Sequence, residues 1–124
     1  MSTKPSSGRL RRALRRLAAT PDELEADDLL SESESQGCRQ IVGLGDRELV
    51  TIFGHLKNVS LAPRAGTPTL EAVLYDGSGD VTLVWLGRRT IAGIKPGANL
   101  VASGRVSCHD QRRVIYNPRY ELRV

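Results

Sequence analysis

Aromatic residues are scarce in this 124-residue chain, at 4% of the composition: one Phe, one Trp and three Tyr. Cysteine and histidine are scarcer still, with two of each. Cys38 and Cys108 stand far apart, and His55 and His109 complete no metal-ligand spacing, so neither a zinc site nor a redox pair is expected. No cofactor is implied. No apolar run approaches the roughly 18 residues of a membrane-spanning helix. Polar residues and arginines follow Met1 where a secretory signal would place an apolar stretch. The acid-free opening "MSTKPSSGRLRRALRRLAAT" has the composition of an organellar transit peptide, but the acidic stretch after it reads as organised structure. A cytoplasmic protein is the expectation. Catalytic constellations are missing too: no Ser/His/Asp or Cys/His arrangement is visible, and the acids fall in helices or turns. The chain is not expected to be an enzyme.

What is present is a divided charge. Residues 1–46 hold seven Lys/Arg against eight Asp/Glu, a net of −1, whereas residues 47–124 hold eleven against six, a net of +5. The basic excess lies in the segment with the strand pattern, and nucleic acid is the first partner such an excess suggests.

Residues 1–37 read as a charged helical extension. Leu10, Leu14 and Leu17 follow helical spacing among Arg11, Arg12, Arg15 and Arg16. A second, acidic helix is predicted from Pro21 to about Leu30. Thr20 is its cap, Pro21 takes the first position, and Glu23 completes a capping box. "SESESQG" at Ser31–Gly37 reads as a linker. Two readings of the Arg-rich helix compete: an arm on phosphates, or a partner of the acidic helix.

From Arg47 the period becomes two. Val50, Ile52, Gly54 and Leu56 fall on one side of a first strand, and Thr51, Phe53, His55 and Lys57 on the other. "LEAVLYDGSGDVTLVWL" is a hairpin closed by Asp76–Gly79. In that register Tyr75 faces Asp80, Leu74 faces Val81, Ala72 faces Leu83 and Leu70 faces Trp85. The wholly apolar set, Trp85 included, goes inward, because burying Glu71 and Asp80 unpaired would cost several kcal/mol. A fourth strand places Leu100, Ala102, Gly104 and Val106 on one face. A fifth is predicted from Arg113 to Leu122, with Val114, Tyr116, Tyr120 and Leu122 on its core face and Pro118 as a kink or bulge. Five strands with a break between the third and fourth is the layout of an OB-fold, a partly open Greek-key barrel. The fold class expected is therefore all-β, a five-stranded OB barrel over residues 38–124 with an α-helical N-terminal extension. An SH3-like barrel also has five short strands, but a long first strand with Gly54 at its bend favours OB.

Residues 41–124 also carry a family likeness. "IVGLGDRELVTIFGHLKNV", "LEAVLYDGSGDVTLVWL", "IKPGANLVASGRV" and "YNPRYEL" resemble, in order, the OB-fold wedge domain of the RecG branch-migration helicase. More widely, the segment is similar to OB domains of the tRNA-anticodon-binding superfamily and to short actinobacterial proteins that join such a domain to an Arg-rich N-terminus. The resemblance implies single-stranded DNA, branched DNA or structured RNA as ligand. There is no G-x-x-x-x-G-K-[ST] motif, so helicase activity is excluded.

Single-strand binders join a basic groove to aromatic platforms. Phe53, His55 and Tyr75, outward on neighbouring strands beside Lys57, form the candidate platform; cover by a helix of the extension is the competing reading. Arg64 (between strands 1 and 2), Arg88 and Arg89 (after strand 3), Arg112 and Arg113 (between strands 4 and 5) and Arg119 are the candidate phosphate contacts. Such contacts position a strand without reading its sequence. The rival function is a protein-interaction module in which Phe53 and Tyr75 dock a partner.

Overall fold

The computed structural model describes residues 20–123. The Arg-rich segment before Thr20 lies outside them, and so does the choice between its two readings. The described chain runs α1 (Pro21–Ser35), a 3-10 turn (Ile41–Gly43), β1 (Leu49–Leu61), β2 (Thr69–Tyr75), β3 (Asp80–Leu86), β4 (Asn99–His109), β5 (Arg112–Tyr116) and β6 (Arg119–Arg123).

The strands close on themselves. β1 pairs with β2, β2 with β3, β3 in parallel with β5, β5 with β4, and β4 back with β1. β6 adds to the first half of β4. This is the OB barrel, with its parallel β3–β5 closure. The hairpin register is the expected one, Tyr75 against Asp80 through Leu70 against Trp85. One contiguous core takes Val50, Ile52 and Leu56 from β1, the Leu70/Ala72/Leu74 and Val81/Leu83/Trp85 rows, and Leu100, Ala102 and Val106 from β4. Ile41 and Leu44 pack into this core from the chain before β1, and Ile91 and Ile94 from the link before β4. Gly54 is needed where β1 crosses β2, since a Cβ there would stand 2.7 Å from Leu74 Cγ and 2.8 Å from the Tyr75 carbonyl oxygen. Immediately afterwards a bulge between Leu56 and Asn58 sets Lys57 outside the regular ladder.

Two sequence expectations need correction. The acidic helix does not stop at Leu30; it runs through "SESES" to Ser35 and ends at Gln36, with Gly37 left-handed (φ 70°). Composition marked those serines as linker, but Ser33 is buried and the Cys38 N–H returns to the Ser33 carbonyl. Thr20 caps as expected, accepting from the Glu23 N–H at 3.2 Å. The fifth strand is in turn two strands. Asn117 takes φ 49°, its N–H donates to the Val84 carbonyl, and its side-chain oxygen accepts from the Leu86 N–H. This break changes the facing of the strand. Ile115, opposite Val106, enters the core, whereas Tyr116, expected there, is 39% exposed. Leu122, expected on the same core face, is also exposed.

Candidate functional site

The outer face of the β2–β3 hairpin carries Glu71, Val73 and Tyr75 opposite Val84, Thr82 and Asp80. Beside it the β4–β5 turn rises on two left-handed residues, Asp110 and Gln111. Between hairpin and turn lies a cleft of about 430 Å³, lined by Val73, Asp80, Thr82, Gln111, Arg112 and Arg113. Arg113 is pinned as part of its wall, donating to the carbonyls of Asp80 (3.2 Å) and Val42 (3.3 Å). Arg112 is exposed and makes no ion pair among the described residues, which leaves its guanidinium available to an anion.

Tyr75 forms the margin of this face. The Lys57 ammonium sits 4.1 Å from its ring centroid and 3.9 Å from Asp80 Oδ1. Desolvation, then the neighbouring carboxylates of Asp80, Glu25, Asp76 and Asp22, push the Tyr75 phenol above its ordinary value. Glu25 and Asp22 belong to α1, so the acidic helix runs close to this ring. Its backbone lies directly on the hairpin turn: a side chain at Gly77 (φ 92°) would run into the Ala26 carbonyl.

That placement overturns the platform expected at Phe53. Phe53 points away from the barrel interior, as its alternation required, yet it is only 2% exposed. α1 covers it, with Asp28, Leu29 and Glu32 around it beside Asn99 and Arg123. Parity along a strand gives the face and says nothing of what lies over that face. Neither a base nor a partner protein can reach Phe53 unless α1 moves. His55 is half-buried, with its Nδ1 2.9 Å from Asn99 Oδ1. Trp85 is core: its Nε1–H donates to the Pro118 carbonyl at 3.2 Å, and Tyr120 meets it edge-on with centroids 5.9 Å apart.

The remaining arginines are not all alike. Arg64 is engaged with Glu71 at 3.4 Å. Arg88 and Arg89 are exposed in the loop after β3 and make no ion pair among the described residues. Arg119 lies in a different cleft, with Arg105 and Tyr116. Of the predicted residues, Lys57, Tyr75, Arg112 and Arg113 come together around the hairpin, while Phe53 is removed and Arg119 is separated. Gln111 lines the cleft without having been singled out as a contact, beside Val73 and Thr82 on the outward hairpin face. Its place in the turn between strands 4 and 5, next to Arg112, is the signal that marks it.

No family model and no curated protein matches the sequence. Among solved structures, RecG bound to a three-way DNA junction superposes on 68% of this chain with a TM-score of 0.59 and 23% identity. The chain spans only 12% of RecG. A chain of a replication protein A heterotrimer bound to ssDNA covers 72% of this chain and 74% of its own length, at 15% identity and a TM-score of 0.49. The likeness to RecG is one of fold, and with the strand pairing it establishes this chain as an OB-fold barrel with an acidic helix packed on its wall.

Proposed function

We propose that the protein binds nucleic acid in single-stranded or branched form at the β2–β3 cleft, chiefly through phosphates and without sequence preference. The observation that carries this reading is the cleft itself. A groove between the hairpin face and the β4–β5 turn is where OB barrels hold their ligands, and here it is walled by Arg113 and fronted by Arg112, which makes no ion pair among the described residues. Lys57 and Arg64 neutralise Asp80 and Glu71, which would otherwise repel a phosphate chain. The acidic α1 closes the Tyr75 side, so a strand enters from the β5 side, towards Arg112. That RecG, whose fold the barrel shares, was solved with a DNA junction supports the same ligand class. The protein acts by binding and not by catalysis.

Fluorescence anisotropy with ssDNA, ssRNA and forked DNA tests the proposal. Log affinity should fall linearly with log salt, by about 0.7 for each phosphate neutralised on a single strand. Arg112→Glu should weaken binding about tenfold at low salt and flatten that slope. Failure of all three ligands to bind at low salt would sink this reading in favour of a protein-docking role.

A further inference from the structure

The wall of the barrel made by the start of β1, the middle of β4 and the end of β5 holds a second cleft, about 580 Å³ in volume. Strand register arranges it in two rows. Leu49 lies opposite Arg105, with Tyr116 beside them; Thr51 lies opposite Ser103, which pairs in turn with Arg119. Tyr116 is 39% exposed and Leu49 67% exposed, so the cleft offers an open aromatic face and an apolar rim. Its lining includes two arginines and no Asp or Glu, in a chain that carries 14 acids. Arg105 is oriented by donation to the Arg47 carbonyl. Arg119 makes no ion pair among the described residues.

The two clefts share β5. Arg112 and Tyr116 share one side of it, with the buried Val114 between them, Arg112 lining the first cleft and Tyr116 the second. Four residue steps along the strand separate Arg112 from Tyr116, a distance of roughly 13 Å along the wall. An exposed aromatic between guanidinium groups is the chemistry that stacks a base and holds its phosphates.

We infer that this wall is a second nucleic-acid contact, onto which a strand leaving the hairpin cleft continues along β5, one base stacking on Tyr116 and Arg105 and Arg119 taking phosphates. The inference rests on the proposed function and adds a path and a length to it. Oligothymidylates of about 4 and about 16 nucleotides, the limits of single OB sites, separate the two. Anisotropy is measured for wild type, Tyr116→Ala, Arg119→Ala and Arg112→Glu, with thermal melts to verify folding. Both wall variants should lose about tenfold for the 16-mer and keep wild-type affinity for the 4-mer, whereas Arg112→Glu weakens both. A 16-mer carrying 5-iodouracil should photocross-link to Tyr116. Unchanged 16-mer affinity in the wall variants, or equal losses for both lengths, overturns the second contact and leaves the hairpin site standing. Absence of wild-type binding to both oligonucleotides overturns the second contact, and absence of binding to the RNA and forked ligands as well overturns the proposed function with it. A poly-glutamate peptide that binds wild type but not Tyr116→Ala, with oligonucleotide binding unaffected by that substitution, assigns the cleft to an acidic protein segment and refutes the inference.

Discussion

Asp76 is fully buried, and its carboxylate accepts four hydrogen bonds: from the Ile41 N–H at 2.8 Å, the Ser78 N–H at 2.8 Å, the Ser78 hydroxyl at 2.6 Å and the Gly79 N–H at 3.1 Å. It closes the hairpin turn and fastens the segment before β1 to it. Ser78 repeats the link, its Oγ accepting from the Val42 N–H, and the Val42 carbonyl then holds Arg113. One of the two carbonyls that hold Arg113 in the cleft wall is therefore positioned through this carboxylate. Asp76→Ala leaves the buried Ile41 N–H unpaired, at about 2 kcal/mol, and two half-buried N–H groups, at about 1 kcal/mol each. The total, about 4 kcal/mol, is a large part of the 5–15 kcal/mol typical of a domain. Asp76→Asn retains one oxygen but turns an amide donor towards another donor and loses the charge that strengthens these bonds, so about 2 kcal/mol is expected. Urea unfolding of the three proteins gives the differences, and hydrogen exchange at the Ile41 amide should rise in both variants. An alanine variant within about 1 kcal/mol of wild type, or one no worse than the asparagine variant, would refute the assignment of Asp76 as the anchor.

Phe53→Ala should cost about 3 kcal/mol in urea unfolding, because a buried ring is removed between α1 and β1. It should leave oligonucleotide affinity per folded molecule unchanged, which separates packing from stacking. For Tyr75, the phenol held above its ordinary value means that the folded state resists ionisation. Its stabilising contribution is full below the unfolded tyrosine value and is lost as pH rises through the folded one. Tyr75→Phe should thus unfold less steeply with alkali than wild type, and an identical alkaline profile would contradict the desolvated setting of the ring beside Asp80 and the acids of α1.

Where the sequence was legible, the information was local. Alternation in "LEAVLYDGSGDVTLVWL" could bury only one face without burying Glu71 and Asp80, so register and the inward Trp85 followed. Thr20, Pro21 and Glu23 marked a helix start for equally local reasons. Asp76 was visible only as a turn residue, because its bond to Ile41 crosses 35 positions. The break at Asn117 was half visible: Pro118 signalled an irregularity, but the left-handed Asn117 that exposes Tyr116 depends on bonds to Val84 and Leu86 across the barrel.

The sequence by itself determined the OB barrel, its hairpin register and the inward faces of β1 to β4, because the two-residue period of a strand fixes side-chain direction from neighbours alone. Only the tertiary structure decided which outward residues stay outside. Phe53 lies under α1, Arg113 is bound into a wall, and Arg112 and Tyr116 remain in the open. Exposure is settled by what the rest of the chain lays over a surface, and no local period encodes that.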